Sequence, residues 1–446
     1  MSLRQIGTAV RAIADDRLPD HVERWARTAI TDTLAVIAGG TGTELFARAA
    51  TTASRHPGTV PVPGLAVRTS AMWSAHLAAI AASALDYDDG HYRGGGIHAS
   101  STVLPVLLAG AAEATLPELV RAFVAGHEIA IRAGHLAAPE RSGESYRASG
   151  YAATIGAAAA LAALRGGDAD RIASAIRLAF AHAPHSRMTS TAARESIGWA
   201  GATAVAVVEL AEAGYASETT DGALHAPAGP TPFEEASDDP MIASLGRVFE
   251  SPDSYLKPWA SCRAAHAMIE ALLELRRRHD LGEARAIDIR AIDIRVIDAA
   301  VVLDVTAPAD LSEAQYALPW LAAVALLRDP ARLARLDPED FAAADLFALA
   351  TRVRLRPGLP PAANGGYPAH VTVTLADGTR LEHGVELELG SPERPLGADR
   401  LARKWAALLE TLPALSLPAI AEVIDDRDAR VIELLELLAR PVPGAG

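Results

Sequence analysis

The densest polar run in the chain is Asp86-Tyr87-Asp88-Asp89-Gly90-His91, followed by Gly94-Gly95-Gly96 and His98. Three carboxylates and two imidazoles so close together admit three readings. They can bind a divalent metal, because Asp and His are common ligands. They can form an acid–base loop that orients a substrate, because neighbouring Asp and His shift one another's proton affinity. Or Asp86 or Asp88 caps a helix at a polar corner and His91 is merely solvated.

A second run is Tyr255-Leu256-Lys257-Pro258-Trp259-Ala260-Ser261-Cys262-Arg263, with His266 one turn later. Pro258 predicts a loop giving way to a helix that continues from Cys262 to His279. Cys262 and Arg263 would then lie in its first turn, with His266 on the same face. Bare N–H groups at a helix start attract anions, and Arg263 adds a fork of donors suited to a carboxylate. A Cys262–His266 nucleophile pair is a further reading, beside the plain one of a small packed cysteine. Two more stretches carry candidates. Tyr146-Arg147-Ala148-Ser149-Gly150 precedes an alanine-rich segment, where Ser149 reads most simply as an N-cap. In Glu313-Ala314-Gln315-Tyr316-Ala317-Leu318-Pro319-Trp320 the aromatic residues read as core.

The 41 basic residues include only two lysines, Lys257 and Lys404. A lysine that persists where arginine is the default is a candidate for proton transfer, since an amine can lose its proton and a guanidinium cannot.

These residues need elements to hold them. Residues 1 to about 250 read as helical almost throughout. Pro19-Asp20 starts a helix that stops at Gly39-Gly40, and apolar periodicity recurs at 70–85, 100–114, 117–136, 151–165, 168–182 and 194–214. Alanine dominates these segments and permits close helix packing. After 250 the texture changes. The segment ARAIDIRAIDIRVIDAAVVLDV alternates Ile or Val with Asp or Arg at strand period and contains a five-residue duplication. Helices are expected at 311–327 and 338–348. Strands are expected at 351–356, 369–375 and 380–388, the last two joined by the Ala376-Asp377-Gly378 turn. Helical patterning returns in RLARKWAALLETL and DARVIELLELLAR. The expected fold is mainly α: an all-helical domain formed by both chain ends, 1–252 and 394–446, with a smaller α+β lid domain, 253–393, inserted between them. A cleft between two such domains is a default place for a small-molecule site.

Composition narrows the function. A net charge of −14 is the wrong sign for a nucleic-acid binder. One cysteine excludes a disulfide framework and fits a cytoplasmic setting. The N-terminus shows no signal-peptide pattern, and the long uncharged run from Ala148 to Leu164 reads as a buried helix rather than a membrane span. His127-Glu128 does not continue into a zincin motif, and no Walker A loop or convincing GxGxxG is present.

Six segments, ALDYDDGH with IHASSTVLPVLLA, AGHEIAIRAG, YRASGYAATIGAAAA, RESIGWAGATA with LAEAG, YLKPWASCRAAHAMIEA, and EAQYALPWLAAVALL, together resemble the MmgE/PrpD family, spread over most of the chain. That family includes 2-methylcitrate dehydratase, cis-aconitate decarboxylase and iminodisuccinate epimerase. The resemblance implies a helical domain with an inserted lid, a homodimer, no cofactor and no metal. It also implies that the pocket is lined by Asp86 and His98, with Asp89 and His91 beside them, by Lys257, and by Trp320 as a closing aromatic. Arg147 and Cys262 stand where dehydratase- and decarboxylase-type members carry histidine. In the epimerase branch the proton-transferring pair resembles Tyr146 and Lys257.

The shared chemistry is removal of a proton from carbon next to a carboxylate. Cations at that carboxylate stabilise the carbanion, and Arg147, Arg194 and Arg263 are candidates, with Cys262 and His266 alongside them. Lys257 must be neutral to act as base, so burial or nearby arginines must lower its pKa. A leaving group on the next carbon makes the enzyme a lyase; a second acid on the opposite face makes it an epimerase. A member that has lost catalysis and only binds carboxylates is the third reading. The expected partner is a small polycarboxylate, with neither nucleic acid nor membrane.

Overall fold

The computed structural model describes residues 1–138, 148–185, 193–215, 231–281, 288–412 and 415–439, with side chains excepted at 193–195. The fold is mainly α, and the chain divides into two compact units. The first comprises 1–84, 88–254 and 401–446; the second comprises 85–87 and 255–400.

The first unit is built from helices α1 (Leu3–Asp15), α2 (Asp20–Gly40), α3 (Ala71–Ala84), α4 (Ser100–Gly110), α5 (Leu116–Ala137), α6 (Ala148–Leu164), α7 (Ala169–His182) and α8 (Ala193–Glu212). Their starts follow local chemistry. Ser2 and Gln5 form a reciprocal capping box on α1, Thr115 and Glu118 do the same on α5, and Asp168 caps α7. Helix α6 has no polar face: from Ala148 to Ala163 every residue except Tyr151 is buried. A helix apolar all round belongs inside. Alanine and glycine let its neighbours come close. A Cβ added at Gly156 would lie 2.3 Å from the Gly126 carbonyl oxygen of α5, so the AGHEIAIRAG and YAATIGAAAA segments are two halves of one helix crossing. Among the described residues no helix is long and apolar enough to cross a membrane.

Among its described residues, the region expected to be helical almost throughout contains a short two-stranded ribbon. Pro57–Pro61 pairs antiparallel with Arg68–Thr69. Pro57, Gly58, Pro61, Pro63 and Gly64 explain it, since proline and glycine both disfavour a helix interior. Leu417–Asp425, begun by Ser416, is a further helix that the periodicity did not reveal.

The second unit holds a four-stranded sheet made of β1 (Ile289–Ile297), β2 (Val353–Leu359), β3 (Ala369–Leu375) and β4 (Arg380–Val385). The strand order is β2-β1-β3-β4; β1 and β2 run parallel and the other pairs antiparallel. Inward residues alternate along β3: Ala369, Val371, Val373 and Leu375 are buried. The first copy of the duplicated unit ends at Ile289, where β1 begins, and the odd repeat length would at period two send the equivalent Ile294 to the other face. A register shift between Ile289 and Ala291 absorbs the extra residue, so Ile289, Ile292 and Ile294 all point inward. Helices α9 (His266–His279) and α10 (Leu318–Leu327) share the core with the sheet's buried face.

Three expected helices are shorter than their patterns. The 311–327 segment splits into Leu311–Ala314 and α10, with Pro319 in the first turn of α10, where its missing N–H costs nothing. The 338–348 segment becomes a 3₁₀ turn, Pro338–Asp340, and a helix from Ala344. The helix expected from Cys262 starts only at His266, after a 3₁₀ turn over Arg263–Ala265.

Candidate active site

The structure divides the Asp86–Asp89 run between the two units, so each constellation is taken by itself.

In the first unit Asp88 and Asp89 are both 2% exposed and serve the start of α4. Ser101 Oγ donates to Asp88 Oδ2 at 2.6 Å, and the Ser100 N–H donates to Asp89 Oδ1 at 3.2 Å. Negative groups are favoured at a helix N-terminus, which offsets part of their burial. His98 lies just before this helix and remains partly exposed. Its Nδ1 is 2.6 Å from the Asp89 carbonyl oxygen, which can only accept, so Nδ1 carries a proton. Asp88 Oδ1 lies 3.4 Å from the same nitrogen. The His98 N–H donates to Ser149 Oγ at 3.0 Å, so Ser149, expected as an N-cap, instead ties α6 to this segment. Behind Asp89, His127 of α5 places Nε2 2.9 Å from Ser100 Oγ and 3.8 Å from Asp89 Oδ2. The Phe123 and Trp25 rings pack against His127 with centroids at 4.5 and 5.0 Å. Burial and the neighbouring Asp88 charge push Asp89 up to about 7, and burial pulls His127 down to about 3.

His91, read above as a solvated residue in one case, is buried. Its Nδ1 accepts from the Gly94 N–H at 3.0 Å, and its main chain bridges Ile97. Burial, with Arg93 adding to it, pulls His91 down to about 3. The glycine run that follows packs closely on α5: Gly95 has φ +71 and a Cβ there would stand 2.9 Å from the Gly134 carbonyl oxygen, and a Cβ at Gly134 would stand 2.2 Å from the Gly94 carbonyl oxygen. Immediately after His127, Glu128 pairs with Arg132 one turn further along α5, a fully buried pair at 2.5 Å. Glu128 also accepts from the Ser251 N–H at 2.8 Å and the Glu250 N–H at 3.1 Å. The pair is an internal brace and is satisfied on both sides.

In the second unit Lys257 is 0% exposed. Its Nζ donates to Asp86 Oδ1 at 2.8 Å and to the Asp86 carbonyl at 2.9 Å, so one residue supplies both acceptors. Asp86 adopts φ +49, in the left-handed region that non-glycine residues rarely enter, and this turn directs both oxygens to one nitrogen. Next to it, the Tyr87 hydroxyl donates to the Pro258 carbonyl at 2.8 Å. The Asp86-Tyr87 and Lys257-Pro258 pairs are thus pinned side by side within this unit.

The remaining expected site residues of this unit have structural partners. Arg263 Nε lies 3.2 Å from Glu388 Oε1, its NH1 donates to the Leu389 carbonyl at 2.9 Å, and its guanidinium stacks 4.5 Å over the Tyr255 ring. His266 Nε2 donates to the Ser261 carbonyl at 3.1 Å, so its Nδ1 accepts from Arg263 at 3.1 Å. That makes His266 neutral, and burial holds it well below the usual histidine range. The expected Arg263 carboxylate fork is therefore already engaged by Glu388, a partner far away in sequence. Cys262 is partly buried and precedes the helix, so the expected i, i+4 helical pairing with His266 does not form; its N–H donates to the Gln315 carbonyl at 2.8 Å. Trp320 is 1% exposed and packs on Phe341 at 5.7 Å within the core. Tyr146 and Arg147 lie outside the described residues, as does the side chain of Arg194.

Among the described residues no group of three or more His, Cys, Asp or Glu side chains is arranged to hold a metal ion. What the structure holds instead is two titratable side chains, each held by an aspartate: the His98 imidazole with its Nδ1 proton fixed by the Asp89 carbonyl, and the Lys257 amine bound by Asp86 in its left-handed turn. Sequence reasoning singled out His98, Lys257 and Asp86, and it passed over Ser100, Ser101, His127 and Glu388, whose contacts with Asp88, Asp89 or Arg263 arise only across the fold.

A comparison with curated proteins finds no match. Two family models do match: the MmgE/PrpD N-terminal domain over residues 4–229 and the MmgE/PrpD C-terminal domain over residues 259–426. Together they cover most of the chain, and the protein belongs to the MmgE/PrpD family.

Proposed function

We propose that the protein is a cofactor-independent lyase, a dehydratase or decarboxylase, that removes a proton from carbon next to a carboxylate of a small di- or tricarboxylic acid. The observation that carries this reading is the Lys257–Asp86 pair. An amine with no solvent exposure is held at 2.8 and 2.9 Å by the carboxylate Oδ1 and the main-chain carbonyl of one left-handed aspartate. A buried amine in a fixed position is a usable base, and excluding water strengthens every charge interaction around it. When Lys257 takes the substrate proton it becomes an ammonium, and the Asp86 carboxylate stabilises that charge. In a dehydratase, hydroxide then leaves the adjacent carbon, is protonated to water, and the alkene forms; in a decarboxylase CO₂ leaves instead and the carbanion left behind takes a proton back. His98 supports the same reading. With the Nδ1 proton on the Asp89 carbonyl, its basic lone pair is on Nε2, and Asp88 stabilises the imidazolium that forms if Nε2 takes a proton. A positioned acid or base of this kind contributes roughly 10²–10⁴-fold.

A second reading, epimerisation, is favoured by the sequence. Arg147 and Cys262 stand where dehydratase-type members carry histidine, and Tyr146 with Lys257 matches the epimerase pair.

Proton NMR in D₂O separates the readings, using citrate, 2-methylcitrate, cis-aconitate, malate and aspartate-derived acids. A vanishing α-proton signal with a new alkene is the expected result. Exchange without an alkene selects the epimerase. Silence across the panel, together with a thermal shift from one or more of the acids, would leave a non-catalytic relative that only binds carboxylates.

A further inference from the structure

Asp88 and Asp89 are adjacent, equally buried and both anchored to α4, yet they face His98 differently. Asp88 presents a carboxylate oxygen 3.4 Å from Nδ1. Asp89 presents its main-chain carbonyl at 2.6 Å, and its carboxyl turns the other way, to the Ser100 N–H and His127. A carbonyl holds a ring proton only as well as the carbonyl is itself held. Here the anchoring is deep. The Asp89 carboxyl, Ser100 Oγ and His127 Nε2 enclose one small buried triangle, walled by Phe123 and Trp25.

We propose that Asp89, Ser100 and His127 are positioning residues that lock His98 in the Nδ1–H tautomer, while Asp88 alone supplies the charge that favours protonated His98. Asp89 is thereby moved from the substrate-lining set to a position behind the proton carrier. Two facts fit this division. The groups that face the Asp89 carboxyl are Asp88 on its own loop, Ser100 on α4, His127 on α5 and Asp32 on α2, the last already paired with Lys404 at 2.8 Å. Burial, with the Asp88 and Asp32 charges adding to it and the Ser100 hydrogen bonds opposing it, holds Asp89 up to about 7, so near neutral pH its carboxyl is about half protonated. His127, for its part, stays neutral.

The catalytic meaning of this assignment rests on the proposed function, but the positioning itself does not. The test is nitrogen-15 NMR of the His98 ring in the full-length protein without substrate, assigned by its loss in His98→Gln, alongside α-proton exchange on the panel above. The wild-type ring is expected to show Nδ1 protonated and Nε2 bare. Ser100→Ala and Asp89→Asn, checked for wild-type circular dichroism, are expected to give a tautomer mixture, with kcat for exchange down about tenfold and KM within about threefold. Ser100→Thr should restore the wild-type ring. Asp88→Asn should keep the tautomer and lower the His98 titration midpoint by about one pH unit. A wild-type tautomer in both Ser100→Ala and Asp89→Asn, or a midpoint unmoved by Asp88→Asn, overturns the assignment. If the wild-type ring behaves as expected and no panel acid exchanges, the proposed function fails and the positioning stands.

Discussion

The chain has two lysines, and each is buried against an aspartate, but the two regions treat the pair differently. In the first unit Lys404, on the helix Ala398–Leu409, reaches Asp32 of α2 at 2.8 Å to Oδ1 and 2.9 Å to Oδ2. Trp405 Nε1 donates to the same carboxylate at 2.8 Å. Both partners sit in regular helices, with Asp32 1% and Lys404 5% exposed. This is a clamp between the C-terminal segment and the N-terminal helices. In the second unit Lys257 follows a loop and is held by an aspartate in left-handed conformation that lends both its carbonyl and its carboxylate. The difference teaches that lysine scarcity located two buried ion pairs and did not by itself separate chemistry from architecture. An ammonium is compact enough for a slot that a guanidinium would overfill, and that requirement applies to a clamp as well as to a base.

Several experiments sharpen or break this comparison. The largest effect is expected from Lys257→Met, which should lower α-proton exchange by roughly 10²–10⁴-fold, the share a positioned base supplies. Adding Asp86→Asn should recover stability, by removing the orphaned carboxylate, and leave activity lost. Recovery of activity in the double variant would show that the second-unit pair is only a clamp as well. Lys404→Met should instead cost about 3–5 kcal/mol in urea unfolding, since it strands a buried charge, while turnover per folded molecule holds. A loss of turnover in the remaining folded protein would erase the contrast between the pairs.

A smaller and more general effect concerns pH. His91 and His127 are held down to about 3 from an ordinary 6.5, and His76 and His266 are also lowered by burial. Below pH 6.5 the unfolded chain binds protons that these folded rings refuse, so stability falls as pH drops through that window. Asp89 opposes this between 3.8 and about 7, where the fold keeps a proton the unfolded chain has released, but it is one group against four. The melting temperature should therefore be lower at pH 5 than at pH 7; an equal or higher value at pH 5 would mean that these rings are charged in the fold. The smallest effect is expected at the surface. Glu274 pairs with Arg277 and Arg278 at 2.8 and 2.5 Å in open solvent, and Glu274→Ala should leave the melting temperature unchanged within error. Comparing it with Lys404→Met isolates burial as the cause of the larger loss.

Much of the architecture was legible in advance. Capping residues, alanine-rich periodicity and the Asp377-Gly378 turn are local signals, and the helices and the hairpin follow them. The departures have local reasons too: prolines and glycines build the ribbon at Pro57–Pro61, and Pro319 restarts a helix. Of the candidate residues, Asp86, Lys257 and His98 stood out by type and spacing. Arg263 stood out equally and is bound to Glu388, a residue 125 positions away that no local pattern connects to it.

By itself the sequence determined the helical class, the strand faces, the family and which side chains can carry a proton, because these depend on residue type at short range. Only the tertiary structure decided what each of those side chains does. The same Asp-Asp dipeptide yields one carboxylate beside His98 and one carboxyl turned toward His127, and the same lysine type yields a clamp and a candidate base. Proton affinity and direction depend on burial and on partners brought from distant segments, and these exist only once the chain has folded.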